Sequence, residues 1–254
     1  MNIPCPVRDL IPLTSCCLLV SLLQEIPVEV KATVYPVGNL FIPAPHGQLE
    51  AILKEPRESS RRGAALVLHP HPLHGGTMHN KVVFRAARAL NDAGLVSLRI
   101  NFRGVGQTTG THDHARGEQA DARLALDYLT ERYPNVPLIL AGFSFGARVG
   151  LEVGTNDARV CALIGIGTPV SMPERGYDFS FLSECRKPLL FVHGERDEFG
   201  DVGKLQALAA ELPSEAHACV RVIPNAGHFF DDQLDEMSRV IKSWTEERIS
   251  ERVE

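Results

Sequence analysis

The middle of the chain reads Leu138-Ile139-Leu140-Ala141-Gly142-Phe143-Ser144-Phe145-Gly146-Ala147. Leu138-Ile139-Leu140 predicts a buried strand, and the residues from about Ala147 predict a helix. Between them stands Gly-x-Ser-x-Gly. A serine in a tight strand-to-helix turn projects its hydroxyl above the sheet. Side chains two positions to either side would collide with neighbouring backbone, so glycine suits both places. The positive end of the following helix faces the same point. The pentapeptide alone also arises by chance in glycine-rich turns. The strand before it and the helix after it make Ser144 a candidate nucleophile.

Outward from this turn, strand-like and helix-like segments alternate from about residue 39. Residues 64–68 are continuously apolar, as a strand buried on both faces should be. Val82, Val83, Ala86, Ala87 and Leu90 recur at helical spacing, and Gly94 stops that helix. Residues 95–102 predict the next strand, and 118–132 a helix with Glu118 and Asp121 in its first turn. Strands are predicted at 160–166, 188–193 and 219–223, with a helix at 203–212. Leu234, Met237, Ile241 and Trp244 form the apolar stripe of a closing helix. Residues 39–54 predict one or two strands at the sheet edge, with Gly47 at a hairpin turn, and 55–63 a solvated loop. The pattern is that of one α/β domain, residues 39–254, with a mostly parallel sheet and helices on both faces.

Composition agrees with that class. The 254 residues are 44% hydrophobic and 22% charged, enough for a substantial core without staples. A formal charge of -5 leaves no basic face, which excludes nucleic acid as a partner. Cys5, Cys16, Cys17, Cys161, Cys185 and Cys219 show no Cys-x-x-Cys spacing, so reduced thiols in a cytoplasm are expected. Residues 10–23 are apolar but too short to span a bilayer. They lack the basic start and small-residue cleavage site of an export signal. Residues 1–38 are read as an N-terminal extension, packed on the domain or serving as an arm for a homodimer or membrane contact.

A serine hydroxyl needs a base, and the base needs an orienting acid. After a strand–turn–helix nucleophile, these should follow in the order acid, then histidine. Residues 194–198, GERDE, follow the strand at 188–193. Asp197 is preferred, with Glu195 and Glu198 as rivals, because Glu195 would still be leaving the strand. His228 follows in the loop after the last strand, where Gly227 frees the backbone. His217 precedes that strand.

Acyl transfer also needs two donors aimed at the developing oxyanion. One is the backbone N–H of Phe145, directly after the serine. The other should come from His69-Pro70-His71-Pro72-Leu73-His74-Gly75-Gly76. Prolines have no N–H, so His71 is the second expected donor and Leu73 the fallback. The histidines of this loop invite a metal reading, but two prolines stiffen it and no ligand spacing is present. Asn101-Phe102-Arg103-Gly104-Val105-Gly106 lacks the third glycine of a dinucleotide loop. It reads as a structural turn, with Arg103 bonded to Glu118 or Asp121.

Three motifs together carry a resemblance: His69 through Val83, Asn101 through Gly106, and Gly142-Phe143-Ser144-Phe145-Gly146. They resemble the small, lidless bacterial α/β-hydrolases related to dienelactone hydrolases, over roughly residues 40–245. The resemblance implies the α/β-hydrolase fold without a large lid, a Ser144, Asp197 and His228 triad, no cofactor, and action on short acyl esters. The family's loop carries an aromatic residue at the place of His74 and an acidic one at that of His79. Dienelactone hydrolases use a cysteine nucleophile, which Ser144 argues against here. A thioesterase or peptidase would use the same groups, and a non-catalytic binding protein would keep the same cleft. Phe143, Phe145, Phe229 and Tyr177 are candidates for lining an acyl pocket or for ordinary core.

Overall fold

In β3 (Gly63–Leu68) and β5 (Leu138–Phe143) every residue is buried, which requires a central strand covered on both faces. These elements come from a computed structural model that describes residues 38–57, 61–172 and 177–250. β3 and β5 pair in parallel, from Ala64 against Leu138 to Leu68 against Gly142. The other strands are β1 (Gly38–Ala44), β2 (Gly47–Lys54), β4 (Leu95–Ile100), β6 (Val160–Ile166), β7 (Leu189–Gly194) and β8 (Cys219–Ile223). They form one eight-stranded sheet in the order β1-β2-β4-β3-β5-β6-β7-β8. β1 and β2 make the expected edge hairpin, antiparallel to each other, and β2 pairs antiparallel with β4. All remaining neighbours are parallel.

Alternate strand residues feed two apolar layers. Leu66 and Leu68 pack with Ala122, Ala125, Leu126 and Leu129 of α2 (Arg116–Arg132) and with Val149 and Val153 of α3 (Phe145–Asn156). Ala65 and Val67 pack with α1 (Lys81–Asp92) and with Met237, Ile241 and Trp244 of α5 (Leu234–Ser250). Each fully buried leucine contributes about 2 kcal/mol of transfer free energy. α4 (Val202–Ala210) adds Leu205 to the α2 and α3 layer.

Element boundaries differ from the sequence pattern where tertiary contacts decide them. β5 runs three residues past Leu140, because β3 and β6 continue to pair with Gly142 and Phe143. α3 starts at Phe145 rather than near Ala147, with Ser144 as its N-cap. β4 ends at Ile100, and Asn101 and Phe102 turn away to bind the loop after β3. Gly63 belongs to β3 rather than to the preceding loop, since it pairs with Leu95 of β4; a Cβ there would lie 2.8 Å from the Pro137 carbonyl oxygen.

Among its described residues, the connection between β6 and β7 carries a 3-10 turn, Ser180–Glu184, and no helical lid. The extension expected at 1–38 lies outside the described residues except for Gly38, which already pairs with Leu53. Cys161, Cys185 and Cys219 are free thiols. No described helix is long and apolar enough to cross a membrane.

Candidate active site

The parallel strands bring their C-terminal ends to one edge of the sheet, and the sequence-predicted site residues leave from that edge. Ser144 follows β5 with φ 56° and ψ −118°, a backbone conformation that costs about 1–3 kcal/mol. The flanking glycines make it possible. A Cβ on Gly142 would lie 2.1 Å from the Gly146 carbonyl oxygen, and one on Gly146 would lie 2.5 Å from that of His69. The Ser144 N–H donates to the Ile166 carbonyl at 2.9 Å, tying the turn to β6. Phe145 is the first residue of α3, so its N–H has no intrahelical acceptor.

Asp197 and His228 stand in the loops after β7 and β8. The Asp197 side chain is fully buried, and an ionised carboxylate only accepts. His228 Nδ1–H donates to its Oδ2 at 2.8 Å, and the Phe199 N–H donates to its Oδ1 at 2.9 Å. That tautomer leaves Nε2 of the neutral ring as the basic nitrogen. The rival acids are not buried: Glu195 accepts the Asn225 N–H at 2.8 Å, and both Glu195 and Glu198 are exposed. His217 is also exposed. His228 is 3% exposed, with its ring 4.8 Å from that of Phe143 and 4.6 Å from that of Phe199. Ser144 and His228 line one cavity of about 270 Å³. Among the described residues no hydrogen bond joins their side chains, as is common before a substrate is bound.

The loop after β3 forms the facing wall. His69 sits at its root, wholly buried. Its Nδ1–H donates to the Pro70 carbonyl at 2.6 Å, and its Nε2 accepts the Phe102 N–H at 3.0 Å. Burial pushes this imidazole down to about 4, so it is neutral and both nitrogens hold backbone. Met78 N–H donates to Asn101 Oδ1 at 2.8 Å and Arg99 Nη1 donates to the Met78 carbonyl at 2.7 Å, which ties the loop's far end to β4. His71 lines the cavity. Its carbonyl accepts the N–H groups of His74 and Gly76, both at 3.1 Å, and its Nδ1 accepts that of Leu73 at 3.2 Å. The Leu73 N–H is therefore committed to the loop itself.

Tyr177 and Phe229 line the cavity, together with Phe199, Met172 and Asn80, which sequence reasoning missed. Phe143 and Phe145 are core instead, 0% and 2% exposed, because their side chains pack under the sheet edge. Sequence reasoning also missed His193, whose Nε2 donates to the Gly200 carbonyl at 2.6 Å and lies 3.6 Å from Asp197 Oδ2. It looked like the end of an apolar strand, and only the folded loop gives it a partner. Arg103 is bonded to Asp121, at 2.7 Å from Nη2, rather than to Glu118. That pair closes the turn after β4 and raises the guanidinium's affinity for its proton.

This fold and this strand-edge geometry define an α/β hydrolase. Residues 64–247 match the alpha/beta hydrolase domain family, and the chain belongs to it. It is 35% identical over 210 residues to RP471, an uncharacterized protein of Rickettsia prowazekii (strain Madrid E), with 81% of this chain and 87% of that one covered. Among solved structures, an alpha-beta serine hydrolase homologue from Coxiella burnetii superposes with a TM-score of 0.76 at 33% identity, over 83% of this chain and 99% of that one. XC6422 from Xanthomonas campestris, described as a serine hydrolase without lid, gives 0.75 at 32% identity, over 83% and 94%. The resemblance carried by the three motifs is borne out as membership among lidless α/β hydrolases. These matches do not speak to a kinship with dienelactone hydrolases.

Proposed function

We propose that this hydrolase cleaves short-chain carboxylic esters, with Ser144 as nucleophile, His228 as base and Asp197 as the acid that orients it. The observation that carries this reading is the strained Ser144 turn opening on the same cavity as His228, whose other nitrogen is bonded to a buried carboxylate. His228 Nε2 takes the Ser144 proton as Oγ adds to the ester carbonyl carbon. The N–H groups of Phe145 and His71 hold the tetrahedral oxyanion. Collapse breaks the bond to the alkoxy oxygen, and His228 returns the proton to the departing alcohol. Water then gives a proton to His228 as it adds to the acyl-serine carbonyl; collapse breaks the acyl–Oγ bond, His228 returns the proton to Ser144 Oγ, and the carboxylic acid leaves.

The cavity volume of about 270 Å³ supports small acyl groups, since ligand pockets for drug-sized molecules run from about 300 to 1,000 Å³. Its lining of Met172, Tyr177, Phe199 and Phe229 suits an apolar acyl chain. Hydrolysis of p-nitrophenyl acetate through hexanoate, in the native chain and in Ser144→Ala, tests the reading. Activity should fall at least about a thousandfold in the variant, and a fluorophosphonate should label only the native chain. Full hydrolysis by Ser144→Ala, or no labelling of the native chain, would overturn it. Thioester and amide substrates in the same series fix the leaving-group preference.

A further inference from the structure

We propose that His112 is a positioning residue for the two oxyanion donors, an inference that rests on the reading of Ser144 as nucleophile. The His112 ring lies 5.0 Å from that of His71 and 5.7 Å from that of Phe145, and those two rings are 4.9 Å apart. The three close a triangle. His71 belongs to the loop after β3 and Phe145 to the first turn of α3, so two separate elements must be held in register to make one oxyanion site. A single ring touches a side chain from each.

That ring is held from behind by Glu118. His112 Nδ1 lies 2.7 Å from Glu118 Oε1, with the two side chains 8% and 0% exposed. The two atoms are in contact without forming a hydrogen bond. The same carboxylate accepts the N–H groups of Asp113 at 3.0 Å and Ala115 at 2.9 Å. The turn it gathers contains His114 at φ 47° and Ala115 at φ 76°, consecutive residues in the left-handed region that favours glycine. Such conformations persist where the surroundings over-determine them. Here Glu118 closes the turn, and the turn presses His112 against both donor residues.

Oxyanion donors act on charge that exists only in the transition state. Loosening them therefore lowers kcat and leaves ground-state binding nearly unchanged. The test compares the native chain, His112→Ala and His112→Phe in p-nitrophenyl acetate kinetics and in the rate of fluorophosphonate labelling, with a thermal melt of each. His112→Ala should lower kcat and the labelling rate about tenfold, with KM within about twofold. His112→Phe, which restores the ring, should return kcat to within about threefold of native. A native kcat in His112→Ala, a loss confined to KM, or a phenylalanine no better than alanine would each overturn the proposal. Should the alanine chain not fold, His112→Leu takes its place: it should be slow where phenylalanine is fast, and equal rates overturn the proposal. Ser144→Ala runs in parallel. If it still hydrolyses the ester, the nucleophile reading has failed and this inference with it. If it is dead while His112→Ala is unimpaired, only this inference has failed.

Discussion

His228 donates from Nδ1 to Asp197 Oδ2 at 2.8 Å, and this one bond decides which nitrogen of the ring can act as a base. Asp197 is fixed in turn by the Phe199 N–H, so it cannot rotate away without losing a buried partner. Asparagine at 197 keeps the shape but offers an amide N–H, which favours the tautomer with its proton on Nε2. Asp197→Asn should then lower kcat by about 10³–10⁴ while the melting temperature moves little. Steady-state kinetics on p-nitrophenyl acetate check this, and a variant retaining a tenth of native activity would remove Asp197 from the role.

The serine turn depends on an approach that no side chain tolerates. A Cβ on Gly146 would meet the carbonyl oxygens of His69 at 2.5 Å and Leu68 at 2.6 Å, both backbone atoms of the central sheet and its exit. Neither can yield as a flexible side chain would. Gly146→Ala should cost about 2–3 kcal/mol in a denaturant titration and displace Ser144 enough to abolish fluorophosphonate labelling. A variant that is both stable and labelled at the native rate would mean the turn is looser than this geometry requires.

His69 links stability to pH. Its imidazole is held to about 4 in the folded chain by burial, against 6.5 when exposed. The unfolded chain therefore binds more protons in that interval, and stability falls as pH drops from about 6.5 towards 4. Below about 4 both states carry the proton and this contribution is flat. The full loss across the window is on the order of 3 kcal/mol. Denaturant unfolding of the native chain and His69→Asn at pH 7.5, 6, 5 and 4 should show a steeper decline in the native chain. Parallel curves would assign the acid sensitivity to other groups.

What was legible in the sequence follows from range. The buried strands announced themselves because parallel strands covered on both faces are apolar at every position, as in 64–68 and 160–166. Ser144 and Asp197 could be picked out as candidates because each sits just after such a strand, and His228 because it follows the edge strand β8 in the order that the turn chemistry asks for. Boundaries were less so. Whether β5 ends at Leu140 or at Phe143 depends on how far its neighbours pair, which no local pattern records. The supporting groups were the hardest to see. His69, His193 and His112 are unremarkable in the sequence, and their roles come from partners at Phe102, Gly200 and Glu118 that the fold brings near.

Three acids stand within four residues of the loop after β7, and geometry separates them into one buried and two exposed. Glu195 accepts the Asn225 N–H at 2.8 Å, so it braces the loop that leads to His228 without touching the ring. Glutamine keeps an acceptor oxygen for that bond. Glu195→Gln should therefore leave stability within about 0.5 kcal/mol and kcat within about twofold, and Glu198→Gln should do the same. Set beside Asp197→Asn in one ester assay, the three isosteric changes ask which carboxylate the histidine depends on. If Glu195→Gln fell as far as Asp197→Asn is expected to, with its melt unchanged, the acid would have to be reassigned to Glu195. The 2.8 Å bond from His228 would then be structural.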